Sequence, residues 1–103
     1  MPRFLIEVPH EPDELACAKV VQVFLASGSH FLTKADWGCS DGDHRAWMIV
    51  DVENKNDARA IVPPAFRREA SIVQLNSFSM EEIDSILSRH QRGRAGSAGP
   101  ESR

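Results

Sequence analysis

The chain has 103 residues, 42% of them hydrophobic, with twelve basic and fifteen acidic side chains and two cysteines. That describes one globular domain, too short for two cores; no apolar run approaches the ~20 residues that span a bilayer, and two cysteines make no disulfide framework. Three arginines and one glutamate lie in the last thirteen residues, QRGRAGSAGPESR, so the body keeps nine basic and fourteen acidic groups, a net charge of −5, which argues against nucleic acid as a partner.

The opening MPRFLIEVPH meets Glu7, Pro9 and His10 before a signal-peptide core of adequate length can form, so the expected location is cytoplasmic, with reduced thiols. Within it Phe4, Ile6 and Val8 alternate with Leu5 and Glu7, the period of a two-faced strand. Pro12 suits a first helical turn, and Asp13 and Glu14 suit the positive end of a helix dipole. Cys17, Val20, Val21 and Phe24 then form one helical stripe, and Gly28 is a plausible stop.

HFLTKADWGC and HRAWMIVDV read as two strands joined at Asp41-Gly42, a strong hairpin signal. Asn54 or Asn56 can cap a short helix that Pro63 and Pro64 end. ASIVQLN is a fourth strand; Ser79 and Glu82 then form a capping box before a last helix with apolar positions Met80, Ile83, Ile86 and Leu87. Residues 1–90 are expected to be one domain. Residues 91–103, with almost nothing to bury, are expected to be a disordered tail.

The expected fold is α+β: a ferredoxin-like βαββαβ antiparallel sheet in the order 4-1-3-2, helices on one face, and an extra C-terminal helix. With Asp41-Gly42 at the tip, Cys39 opposes His44, Trp37 opposes Ala46 and Asp36 opposes Trp47. One face then holds Phe31, Thr33, Ala35, Trp37, Ala46, Met48, Val50, Val52, Phe4, Ile6, Val8, Val73 and Leu75, the core. The other mixes Leu5, Leu32, Trp47, Ile49 and Ile72 with Glu7, Lys34, Asp36, Arg45, Asp51, Gln74 and Asn76. So apolar a face calls for a cover, and a second copy of the chain is the simplest one.

Over residues 3–90 the chain resembles the small dimeric α+β-barrel proteins, the superfamily of muconolactone isomerase-like proteins and cofactor-independent monooxygenases. The element order, the mixed sheet face and the ending VPPAFRREASIVQLNSF carry the resemblance. It implies two sheets packed face to face, with a cavity between sheet and helices or at the dimer seam. No residue here matches a catalytic position of a named family.

Two groups of residues are candidate sites. The proposed topology gathers His10, Cys17, Cys39 and His44, with Asp41 and Asp43, at one end of the sheet, and two thiols with two imidazoles suit a zinc, nickel or copper ion. The same cluster has an enzyme version, a Cys39 thiolate activated by His44. A purely structural reading makes Cys17 a small buried hydrophobe and His44 a solvated strand end. The second group is the sheet face, where Glu7, Lys34, Asp36, Arg45 and Trp47 can orient a planar small molecule, or else pair among themselves. The sequence therefore points to a homodimeric binder of a metal ion or small molecule. The alternatives are a cofactor-independent isomerase or monooxygenase using His10, Glu7 and Trp47, and an interaction module without a ligand.

Overall fold

The computed structural model describes residues 1–93. It contains a four-stranded antiparallel sheet of β1 (Arg3–Pro9), β2 (Asp36–Trp37), β3 (Arg45–Asp51) and β4 (Ser71–Leu75). Four helices accompany it: α1 (Glu14–Ala26), α2 (Lys55–Ile61), α3 (Pro64–Arg67) and α4 (Met80–Gly93). The strands lie in the order β2-β3-β1-β4, which counted from the opposite edge reads 4-1-3-2. Among the described residues no helix is long and apolar enough to cross a membrane.

One core lies beneath the sheet. Phe4, Ile6 and Val8 of β1, Ala46, Met48 and Val50 of β3, Val20 and Phe24 of α1, and Ala58 of α2 with Val62 are buried together. Phe24 stacks edge-on against Trp37 at 5.0 Å between ring centroids, which ties α1 to the short β2. A side chain of that size, fully buried, stabilises the fold by about 1.5–3 kcal/mol.

Local chemistry sets the helix ends. Asp13 caps α1 by accepting from the Ala16 N–H, so Pro12 precedes the helix rather than entering its first turn. Asn54 caps α2 through the Asp57 N–H. Ser79 and Glu82 exchange hydrogen bonds in a capping box at the start of α4. Because α4 continues to Gly93, the first residues of the expected tail are helical; residues 94–103 lie outside the described residues.

The structure corrects the expected strands in three places: HFLTK, the phase of β4, and the Cys39–His44 pairing at the hairpin tip. HFLTK is a helical turn, not a strand: the Ser29 hydroxyl accepts from the Phe31 and Leu32 N–H groups, and the Ser29 carbonyl accepts from the Thr33 N–H and hydroxyl. Such local side-chain capping competes with a sheet ladder. As a result Leu32, expected on the outer face, is buried in the core, Thr33 is exposed, and Lys34 stands in a 3-10 turn rather than in a strand of the sheet.

The second correction inverts β4. Ile72 faces Ile6 in the core, while Val73 sits beside Leu5 on the outer face, 47% exposed. Adjacent Ile72 and Val73 make either phase compatible with an apolar period; burial of Ala70 selects the one that turns Ile72 inward. Ile49, Leu5 and Val73 thus form one apolar row across three strands of the outer face.

Candidate metal centre

Three elements converge at the end of the sheet that bears the hairpin. The β1–β3 ladder pairs Pro9 with Arg45, and one step further the His10 N–H donates to the His44 carbonyl at 3.0 Å. That register places the two imidazoles side by side, 5.7 Å apart and nearly perpendicular. Cys17 comes from the first turn of α1, where its N–H donates to the Asp13 carbonyl.

Cys39 reaches the group from the hairpin. The ladder between β2 and β3 keeps Asp36 opposite Trp47 and Trp37 opposite Ala46. Beyond Trp37 the expected Cys39–His44 strand pairing gives way to a 3-10 turn, Cys39–Asp41, closed by Gly42 at φ +84°. A conformation that L side chains rarely adopt explains the glycine. The turn starts from Gly38, whose N–H donates to the Arg45 carbonyl and whose carbonyl accepts from the Asp41 and Asp43 N–H groups. This folded tip, rather than an extended strand, turns Cys39 toward α1.

The resulting geometry is compact. Cys17 Sγ lies 3.0 Å from His10 Nε2, 3.4 Å from His44 Nδ1 and 3.5 Å from Cys39 Sγ, and Cys39 Sγ lies 3.3 Å from His10 Nε2. One ligand atom from each of the four residues falls within 4.8 Å of every other. A tetrahedral ion with Zn–S of ~2.3 Å and Zn–N of ~2.0 Å has ligand-to-ligand edges of about 3.3–3.8 Å. Three of the four short separations fall within that range and the Cys17–His10 one, 3.0 Å, is somewhat shorter, so the residues present fit such an ion after a small outward shift.

Electrostatics suit the same purpose. Burial and the neighbouring His44 hold the His10 pKa below its ordinary value, so the imidazole is neutral and offers a lone pair. Burial and the adjacent Cys39 push the Cys17 thiol up; two thiolates this close repel unless a cation lies between them. His10 Nδ1 is buried without a hydrogen-bond partner among the described residues. The ring is therefore oriented by its Nε2 side and by packing on Trp37 at 6.0 Å. All four residues are only partly buried, and both cysteines are free, so Cys17 is not the inert core residue of the structural reading. It lies with Cys39 along an open groove of about 890 Å³ walled by α1 residues such as Val21 and Leu25 and by Trp37.

The sheet-face candidates separate. Trp47 Nε1 donates to Glu7 Oε2 at 2.8 Å, and Arg45 donates to the same oxygen at 3.0 Å. Arg45 also makes a bidentate pair with Asp43 and lies over the Trp47 ring, 5.7 Å from its centroid. Asp43 belongs to this network rather than to the cysteines, and Arg45 holds its carboxyl below the usual carboxylate range. Asp36 is exposed opposite Trp47, and Lys34 lies with His30 and Phe31 beside the far end of β3. The five residues therefore do not form one pocket.

Sequence reasoning missed Gly38. A Cβ there would lie 2.6 Å from the Asp43 carbonyl oxygen and 2.7 Å from the Trp47 ring. The indole thus packs on the bare backbone just before Cys39 and braces the turn from outside. The legible signal was a glycine one residue from a tryptophan and a cysteine, away from the Asp-Gly tip. Comparison with protein-family models, curated proteins and solved structures gave no match.

Proposed function

We propose that the chain is a metal-binding protein whose His10, Cys17, Cys39 and His44 hold a tetrahedral ion of the zinc class. The convergence of four ligand atoms from β1, α1 and the β2–β3 hairpin within 4.8 Å carries this reading. Two thiolates and two imidazoles at tetrahedral spacing favour zinc over nickel(II) or copper(II), which prefer planar geometries. Four protein ligands leave no open position for substrate, so the centre belongs with structural rather than hydrolytic zinc sites. Its ligands must shed protons to bind, and the binding energy becomes folding energy for the elements it joins.

The test is elemental analysis of untagged protein together with melting curves in chelator and in added zinc, nickel or copper. Near-stoichiometric metal and a midpoint that falls in chelator are expected, with zinc restoring it. Metal-free protein that melts indifferently to all three ions sinks the reading.

We also propose a ferredoxin-like arrangement that pairs through its outer sheet face into a homodimer, as the resemblance to dimeric α+β-barrel proteins implies. The row Ile49, Leu5 and Val73, with Ile49 62% exposed, supports that seam. Ile49→Lys is expected to lower the mass in light scattering and to remove the concentration dependence of the melting midpoint that a dimer confers. An unchanged mass, or a wild type that is already monomeric, removes the dimer. The isomerase or monooxygenase alternative has less support: Glu7 and Trp47 satisfy each other, and His10 is turned to the thiols.

A further inference from the structure

We propose that Cys17 and Cys39 are an oxidation site, at which a hydroperoxide converts the two metal-binding sulfurs into an intramolecular disulfide and so expels the metal. The inference rests on the metal-binding reading and adds to it a means of release. Three observations carry it. The two Sγ atoms are already 3.5 Å apart, so a bond of ~2.05 Å asks for an approach of about 1.5 Å. They sit on different elements, α1 and the hairpin tip, 22 positions apart in sequence, so the bond closes a loop rather than straining one turn. Both residues are partly exposed and both line the open groove beside α1, which gives a small oxidant access to either sulfur.

Only this pair of ligands can respond in this way, since the imidazoles offer no comparable two-electron chemistry. One thiolate sulfur attacks a peroxide oxygen; the O–O bond breaks, an S–O bond forms, and the departing hydroxide takes a proton and leaves as water. The second sulfur attacks the sulfenic sulfur, forming the S–S bond and breaking the S–O bond, and the second oxygen also leaves as water. The sulfurs together lose two electrons, one hydrogen peroxide gains them, and two protons come from solvent. The disulfide removes both anionic ligands at once, leaving His10 and His44, two neutral donors, as the whole of the ligand set.

The experiment treats the zinc-loaded full chain with one equivalent of hydrogen peroxide and follows three quantities: zinc captured by a chromogenic chelator, free thiols, and intact mass without reductant. Release of the bound zinc is expected, with loss of both thiols, a mass lower by two hydrogens, monomeric chains on non-reducing gels, and full recovery with dithiothreitol and zinc. Zinc retained with both thiols intact overturns the proposal while leaving the metal-binding reading standing. So does a mass raised by oxygens, which marks sulfinic acid, or a disulfide between chains. A chain that takes up no zinc before peroxide is added overturns both. His44→Ala keeps the two sulfurs while weakening the metal, and is expected to reach the same disulfide faster than the zinc-loaded wild type; failure to form it counts against the pairing itself.

Discussion

Two groups of polar side chains converge in this molecule, one at the hairpin end of the sheet and one on its outer face, and they differ in kind. On the face the groups are complementary: Trp47 and Arg45 donate to Glu7, and Arg45 donates to Asp43. Each donor meets an acceptor and each charge its opposite, so the network is complete without a ligand. At the hairpin end His10, Cys17, Cys39 and His44 bring four electron-pair donors together. Thiols and imidazoles at this spacing share only weak S–H hydrogen bonds, whereas a cation takes a lone pair from all four. Proximity alone therefore says little about a site; the chemical sameness of the neighbours says more.

The strongest way to break that comparison is to remove one donor from each group. Cys39→Ser is expected to weaken zinc binding by more than the ~100-fold that losing a mere supporting partner costs, measured by competition against a chromogenic chelator. Glu7→Gln, by contrast, removes a charge from a network whose members are partly exposed, with Arg45 and Glu7 side chains at 43% and 29%. It should cost under about 1 kcal/mol of stability and leave zinc affinity unchanged. If both variants lose zinc equally, the two groups act as one and the distinction fails.

Gly38→Ala tests the contact between them. Its added methyl collides with the Asp43 carbonyl and the Trp47 ring, so either the indole leaves the face or the Cys39 turn shifts. Overpacking of this type costs about 1–3 kcal/mol. A lower melting midpoint with a fall in zinc affinity is expected. Trp47→Leu in the same chain makes room and should recover part of the affinity. A Gly38→Ala protein with unchanged melting would mean that the turn yields freely and that Trp47 braces nothing.

How legible these features were in the sequence depends on what fixes each one. The β1 alternation, the helix caps at Asn54 and Ser79, and the facing of Trp37 with Ala46 all follow from short-range patterns, and the structure has them. The four metal-ligand candidates were legible because the proposed topology brings the end of β1, the start of α1 and the hairpin to one corner. What escaped was decided by competition between local rules. Ser29 turned a strand-like HFLTK into a helical turn, and Ala70 chose between two equally apolar phases of β4. Lys34 and Asp36 dropped out of the sheet-face group for related reasons: one left the sheet with that turn, and the other remained exposed at its edge.

A third polar cluster gives the smallest and sharpest check on the rule that complementary groups need no ligand. In the capping box Glu82 accepts from the Ser79 N–H at 2.7 Å, and the Ser79 hydroxyl accepts from the Glu82 N–H at 3.1 Å. These bonds hold the Glu82 pKa below its ordinary value, the backbone N–H of Ser79 being the larger cause. Because the folded value is the lower one, the ionised cap contributes fully above the ordinary glutamate range, about 4.3, and that contribution fades as pH falls through the depressed value. Gln at the same position can make the same bond without titrating. Far-ultraviolet circular dichroism from pH 7 to 3 should therefore show the wild type losing slightly more helical signal than Glu82→Gln, with or without zinc. A zinc-dependent difference between the two would mean that α4 senses the metal centre, and the cap would then be part of the site rather than a self-contained pair.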